Sequence, residues 1–283
     1  FFRANKIYNE VKKYFNENNV KFLIPSHLCY ISYGIITRIA LSKNITVLKL
    51  RTENRGNSSF RLMKIDKYCV DEPQYYKHKK NFKKFSNSEK RHALKIGQKI
   101  LSKRVSGSFD PTLPYIIKSQ FRDKKYLFSG LDDQKEKIIL FPHCFYDYPH
   151  RYRSMIFNDF YEHATYFMEI SKSQEKYDWL YKPHPHSLDG HINIHKQLLK
   201  KYPNIKYIPR EVSHKQILNL NLKCAITNHG TVAHEYATFG VPVINTGDNP
   251  HIKYNFCLNV KSLKQLDIIM KNLDKYLKKI KIK

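Results

Sequence analysis

Acidic residues are scarce in this chain. Asp and Glu number 24 against 51 Lys and Arg, a formal charge of +27 over 283 residues. A field of that sign attracts polyanions and anionic membrane faces. The lysines run through the whole chain, from NFKKF to YLKKIKIK, with no compact basic tail of the nucleic-acid-arm kind. General lysine enrichment accounts for the charge equally well. Long apolar runs are also missing: none approaches the roughly 18–20 residues that span a bilayer. The opening FFRANKIYNEVKKYF carries charge throughout and offers no small-residue cleavage site, so it does not read as a signal peptide. It has no initiator Met and enters a helical pattern at once. We therefore expect missing N-terminal sequence that includes the first strand of the first domain.

Several catalytic signatures are absent too. There is no G-x-x-x-x-G-K-[ST] loop, no G-x-G-x-x-G turn and no G-x-S-x-G elbow. His234-Glu235 begins like a zinc-protease motif, but Thr238 stands where the second histidine ligand belongs. His191 and His195 are four apart on an expected helix. With no Cys or carboxylate partner nearby they read as an exposed face rather than as metal ligands. The five cysteines, Cys29, Cys69, Cys144, Cys224 and Cys257, are widely spaced and form no metal or redox pair. Reduced, mostly buried thiols in a cytoplasmic protein fit that pattern.

What the chain does have is a core and a rhythm. It is 41% hydrophobic, with 21 Tyr and 17 Phe, enough for a sizeable packed interior. In the first half, helical patterns at 1–18 and 30–41 alternate with strand-like runs at 21–26 and 44–50, and a third run follows at 67–70. Residues 71–85 read as a polar loop. SNSE at 86–89 offers a capping-box start to a helix reaching about Arg104. The second half is clearer. Strands at 137–143, 179–185, 205–209, 223–227 and 241–245 are interleaved with helices at 155–170, 192–201, 213–220 and 231–239, and a basic amphipathic helix closes the chain over 261–279. Strand–helix alternation predicts an α/β protein with parallel sheets. The Gly- and Pro-bearing stretch 107–136 separates an N-terminal domain, 1–130, from a C-terminal one, 131–283.

Ligands in open parallel sheets bind beyond the carboxyl ends of the strands, and the chemically unusual residues sit at three such exits. The first, after 137–141, holds His143, Asp147, Arg151 and Arg153. That mixture makes poor core material, and its guanidinium groups suit phosphate. A solvated polar loop is the plainer alternative. The second, Lys182-Pro183-His184-Pro185, stiffens a histidine between two prolines. There it could donate to, or protonate, a leaving phosphate; a structural turn is the alternative. The third, Thr227-Asn228-His229-Gly230-Thr231, leads from strand to helix. Gly230 permits close backbone approach, the helix start favours an anion, and Glu235 one turn later could accept from a ribose diol. An ordinary strand–helix turn is the alternative here, although the full run through Gly240-Val241-Pro242-Val243 is more specific.

These runs resemble a known family. KPHP at 182–185 followed by TNHGTVAHEYATFGVPVINTGDNPH at 227–251 is similar to the capsule polysaccharide biosynthesis glycosyltransferases. Their relatives include bacterial Kdo transferases and, more remotely, CMP-sialic acid transferases with a His-Pro motif. FPHCFYDYPHRY (141–152) and HLCYISYGIITRIAL (27–41) carry the same likeness, which is good over 137–260 and thin over 1–130. Teichoic-acid glycerophosphotransferases share a KPHP-like loop but usually carry a Ser-rich turn where this chain has His229-Gly230-Thr231. The resemblance implies a GT-B fold, with two Rossmann-like domains facing a cleft. The N-terminal one, here incomplete, takes the acceptor and the C-terminal one the nucleotide-sugar. It implies His184 at the nucleotide phosphate, the Gly230-Thr231 turn on phosphate and Glu235 on the ribose. The residues at the same strand exits add Lys182, His229, Arg151 and Arg153 to the candidate binding set, and His143 and Asp147 beside His184 as candidates for catalysis. It also implies a metal-independent reaction without a resident cofactor, in keeping with the lack of a D-x-D motif. For the catalytic base, Glu53, Asp110 and Asp147 remain open.

The expected activity is transfer of a sugar, CMP-linked among the options, from a nucleotide donor to a growing capsule or lipid-linked surface glycan. The expected place is the cytoplasm, at the inner face of the inner membrane, with the basic helix at 261–283 as a candidate contact to anionic lipid. A nucleotide-sugar epimerase and a CDP-polyol phosphotransferase are the enzymatic alternatives. A binder of nucleic acid or membrane, driven by charge alone, ranks below them because it leaves the three loaded strand exits unexplained.

Overall fold

The computed structural model describes residues 1–52, 60–65, 78–106, 128, 130–147, 155–185, 187–247, 252 and 254–280. The chain divides into two compact units, Phe1–Pro73 and Gln74–Lys283. Among the described residues no helix is long and apolar enough to cross a membrane.

The first unit holds α1 (Phe2–Glu17), β1 (Phe22–Leu23), α2 (Ile31–Ser42), β2 (Thr46–Thr52) and β3 (Phe60–Lys64). β1 and β2 run parallel, as the alternation predicts, whereas β3 returns antiparallel to β2, with Leu50 opposite Leu62. The third run expected at 67–70 lies outside the described residues. Leu28, Ala40, Ile45, Val47 and Ile65 form a small core.

The second unit opens with α3 (His78–Lys83), inside the segment expected to be a loop, and α4 (Asn87–Val105). The capping box at the start of α4 is present: the Glu89 amide donates to Ser86 Oγ at 3.2 Å, and the Ser86 amide donates to Glu89 Oε2 at 2.7 Å. There follow β4 (Lys137–Phe141), α5 (Phe160–Ser171), β5 (Asp178–Tyr181), α6 (Asp189–Leu199), β6 (Ile205–Tyr207), α7 (His214–Leu218), β7 (Leu222–Thr227), α8 (Val232–Thr238), β8 (Val243–Asn245), β9 (Cys257–Asn259), α9 (Leu263–Lys271) and α10 (Leu273–Leu277). The helix expected from Met155 starts at Phe160, where Asp159 accepts from the Glu162 amide at 2.7 Å.

All six strands pair in parallel, in the order β6-β5-β4-β7-β8-β9. Counted from β4 this is the doubly wound 3-2-1-4-5-6 order of a Rossmann-like sheet, whose direction of winding reverses between β4 and β7. Every residue of β4 is buried, as a central parallel strand requires. Ile138 and Leu140 face one core, with Phe167, Trp179 and Ile269; Ile139 and Phe141 face the other, with Ile217, Ala233 and Tyr236. Gly240, at φ +83°, takes the left-handed turn that ends α8. The closing helix, expected as one piece, is two, divided at Asn272. It buries Leu266, Ile269, Met270, Leu273 and Leu277 in the core, which leaves few of its apolar residues to meet a lipid surface. Cys29, Cys144, Cys224 and Cys257 are buried and in no disulfide among the described residues, as expected.

Candidate functional site

The winding reversal places the exits of β4 and β7 side by side, with that of β5 next to them. His143, two residues past β4, has its ring stacked on Phe160 at 4.3 Å and 15°. It lies nearly parallel to His184 at 5.7 Å, and edge-on to His229 at 6.1 Å between centroids. The Cys144 amide donates to His143 Nδ1 at 2.9 Å. In the neutral ring this puts the remaining proton on Nε2, as assigned from the hydrogen bonding. Asp147 Oδ2 stands 3.7 Å from the same Nδ1. Burial lowers the His143 pKa to about 4, against the opposing pull of Asp147. At neutral pH the ring is therefore an uncharged donor rather than a cation.

The β5 exit is rigid and charged. Lys182 is 1% exposed, and its Nζ donates to the Arg210 carbonyl at 2.7 Å. Burial brings its pKa down to about 7, with Glu211 and Glu235 pulling the other way. The following turn closes with the Ser187 amide on the His184 carbonyl at 2.9 Å. Arg210 straps it: NH1 donates to the Ser187 carbonyl, NH2 to Asp189 Oδ1 at 2.9 Å and Nε to Glu211 Oε1 at 2.8 Å.

At the β7 exit the Gly230 amide donates to Thr227 Oγ1 at 3.1 Å. A Cβ at Gly230 would sit 2.4 Å from that oxygen, so the tight turn itself requires glycine. The chain leaving β8 passes as closely. A Cβ at Gly247 would come within 2.2 Å of Asn228 Oδ1 and 2.7 Å of His229 Cε1. Asn245 Nδ2 holds this second strand exit by donating to the Gly247 carbonyl at 2.6 Å and to Asn259 Oδ1 at 3.0 Å. Asn228 is fully buried and accepts from Thr246 Oγ1 at 3.3 Å, while its Nδ2 has no partner among the described residues.

Glu235 is also buried. Its Oε1 lies 2.6 Å from Arg104 Nε, and Arg104 NH2 donates to Thr231 Oγ1 at 3.2 Å. Arg104 comes from the last turn of α4 and is a site residue that sequence reasoning missed, as one cation among many in that helix. His214 and His163 were missed as well. His214 Nδ1 meets Tyr236 Oη at 2.9 Å. Its pKa is held well below the usual value by burial and then by the positive charges of Lys182, Arg104 and His184. His163, on α5, is wholly buried, and both of its ring nitrogens lack a partner among the described residues. Burial, with His229 and His143 nearby, lowers its pKa to about 3.

The structure thus brings His143, Asp147, Lys182, His184, His229, Gly230, Thr231 and Glu235 to the carboxyl end of the sheet. Arg151 and Arg153 lie outside the described residues, as do Glu53 and Asp110. His195 corrects an expectation: it is buried, not exposed, with Nδ1 2.6 Å from Tyr181 Oη. Among the described residues no group of His, Cys, Asp or Glu is placed to hold a metal ion. A cavity of about 620 Å³, lined by Ser173–Tyr177 and Met270–Lys275, sits at the amino end of β5, away from these histidines.

No protein-family model matches the chain, and no curated protein matches it. Among solved structures it is similar to the UDP-GlcNAc 2-epimerase of Neisseria meningitidis bound to UDP-GlcNAc, at 12% identity and a TM-score of 0.40, over 99% of this chain and 76% of that one. It is also similar to two entities of Thermosulfurimonas dismutans KpsC. The beta Kdo 2,4 transferase matches at 13% identity and TM-score 0.49, over 86% of this chain and 74% of that one. The beta Kdo 2,7 transferase matches at 16% identity and TM-score 0.47, over 93% and 79%.

Proposed function

We propose that the chain is a glycosyltransferase that draws a sugar from a nucleotide-activated donor and holds the donor's phosphate at the β4, β5 and β7 exits. The meeting of the His143, His184 and His229 rings at the winding reversal carries this reading, with Lys182 and Arg104 as the cations acting on the same region.

In glycosyl transfer the bond from the anomeric carbon to a phosphate oxygen breaks as the acceptor hydroxyl oxygen bonds to that carbon. The electron pair stays with the nucleotide, and the hydroxyl proton passes to a base. Donors fixed in advance around the departing oxygen lower the barrier. The Nε2–H of neutral His143 is one such donor, and His184, stiffened by its flanking prolines, is a second. Lys182, with its proton half-lost near neutrality, offers positive charge or a proton where the phosphate departs. Arg151 and Arg153 would clamp the diphosphate. Asp147 would take the acceptor proton. Glu235, braced by Arg104, would turn its other oxygen to the ribose.

The resemblance extends the proposal. The acceptor is a growing capsule or surface polysaccharide, residues 1–130 serve it in a GT-B arrangement, residues 131–283 hold the donor, and the work is done at the cytoplasmic side of the membrane. Incubation with CMP-, UDP- and GDP-linked sugars, with and without glycan acceptor, tests it. Free nucleotide should accumulate only when acceptor is present. An isomerised sugar nucleotide formed without acceptor would contradict the proposal and indicate an epimerase.

A further inference from the structure

Arg104 and Glu235 meet as charges but leave each other's hydrogen bonding unfinished. Arg104 Nε lies 2.6 Å from Glu235 Oε1, with the Glu235 side chain 2% and that of Arg104 30% exposed. Both atoms are nevertheless buried without a hydrogen bond among the described residues, because the contact is close but poorly aligned. A carboxylate this deep costs the fold unless its oxygens are well bonded, and an apolar residue in its place would avoid that cost. The guanidinium is under-used as well. Its planar fork of donors suits an oxyanion, yet among the described residues its hydrogen bonding is confined to NH2, which donates to Thr231 Oγ1 at 3.2 Å. Thr231 is exposed where α8 begins, and its hydroxyl caps no amide of that helix. The pair shares its surroundings with the β5 exit. Arg104 acts on buried His214 together with Lys182 and His184, and Glu235 acts on Lys182.

We infer, resting on the donor reading above, that Arg104 is a ligand of the donor's phosphate and that Glu235 holds it until the donor arrives. Phosphate oxygens accept from the guanidinium and from the Thr231 hydroxyl, whose oxygen keeps accepting from NH2. Phosphate and the Glu235 carboxylate compete for one cation. As the phosphate takes Arg104, the carboxylate is released to accept from the ribose hydroxyls. The two residues together read a phosphate and a ribose joined in one molecule. A nucleoside lacks the group that draws Arg104 away, and an inorganic phosphate lacks the hydroxyls that satisfy Glu235. The site therefore selects nucleotides over either part alone.

Isothermal titration of the full folded chain with inorganic pyrophosphate and with CMP, CDP, UDP and GDP tests this. Arg104→Gln should weaken the tightest of these nucleotides roughly tenfold to a hundredfold, and weaken pyrophosphate as much. Glu235→Gln should move the two probes in opposite directions. Pyrophosphate should bind severalfold tighter, since no carboxylate competes for Arg104, whereas the nucleotide should bind severalfold weaker, since the ribose loses a charged acceptor. A pair with a structural role alone would lower the melting temperature of both variants and leave both affinities of the folded chain unchanged. That result overturns the inference, as does pyrophosphate binding that Glu235→Gln fails to tighten. Nucleotide binding indifferent to Arg104→Gln would overturn it and leave the donor site standing. A parent that binds none of these ligands would overturn both.

Discussion

At the amino end of the six-stranded sheet, Lys223 of β7 lies against Glu136 at 2.9 Å and against Asp274, which also takes Lys176 at 3.3 Å. At the carboxyl end of β5, Lys182 is more deeply buried and donates to the Arg210 carbonyl at 2.7 Å, with Glu211 and Glu235 drawing its pKa upward against burial. Burial works against both ammonium groups. For Lys223 the hydrogen bonds to Asp274 and Glu136 outweigh it and raise the pKa, whereas Lys182 falls to about 7. His163, which His229 and His143 influence, has both ring nitrogens buried without a partner among the described residues, as does Asn228 its Nδ2. Two ends of one sheet thus treat charge in opposite ways. At one end carboxylates outweigh the cost of burial; at the other burial prevails. Groups held off their ordinary pKa by burial mark functional sites more often than paired surface charges do.

Lys182 offers the sharpest break of this comparison. Its pKa is near 7 folded and about 10.4 unfolded, so between those values the unfolded chain binds more protons and the fold gains stability as pH rises. A shift of that size is worth about 4 kcal/mol between pH 7 and pH 10. Lys182→Met should abolish that rise and leave the chain at least as stable at pH 7, read by urea unfolding at the two pH values. A parent and variant with the same pH profile would remove Lys182 from the account.

His163 and His143 predict the next largest effect, on the acid side. Their folded pKa values lie below that of an unfolded histidine, so stability is intact above about pH 6.5 and falls as pH drops toward 4. His163→Leu should leave the variant about 3 kcal/mol less sensitive than the parent between those pH values, on the same scale.

Arg104→Ala strips the partner from buried Glu235. We expect a loss of about 2–3 kcal/mol, less than for a wholly enclosed pair because Arg104 is 30% exposed. Adding Glu235→Gln should recover part of it. Lys223→Met, at the opposite end, should cost about 1 kcal/mol, since its carboxylate partners stay half in water, and it should leave nucleotide binding untouched.

The six-stranded sheet was largely legible in the sequence because its central strands are mostly buried and end in chemically odd loops. KIILF and KCAIT each pair an apolar run with a polar exit. β3 and β9 escaped notice for opposite reasons. β3 carries Arg61 and Lys64 and pairs on one side only among the described strands, so it lacks a buried strand's pattern. β9 is three residues long. At the site, His143, His184, His229 and Gly230 announced themselves through proline, glycine and strand context, whereas His163 and His214 sit inside helices with no such context. Arg104 did not, since nothing local separates it from Lys99 or Lys103; only the tertiary approach of α4 to α8 does. Gly247 lay within the run that carried the resemblance, yet its role comes from a backbone passing Asn228, which no one-dimensional spacing encodes.

Thermal melting of the parent, His184→Ala and Lys223→Met with CMP, CDP, UDP and GDP tests the central claim most directly. A ligand that binds only the native state adds about 2.7 kcal/mol at a hundredfold excess over Kd. The account predicts that at least one of the four raises the melting temperature of the parent and of Lys223→Met but not of His184→Ala. An equal rise in all three, or none in the parent, would contradict it.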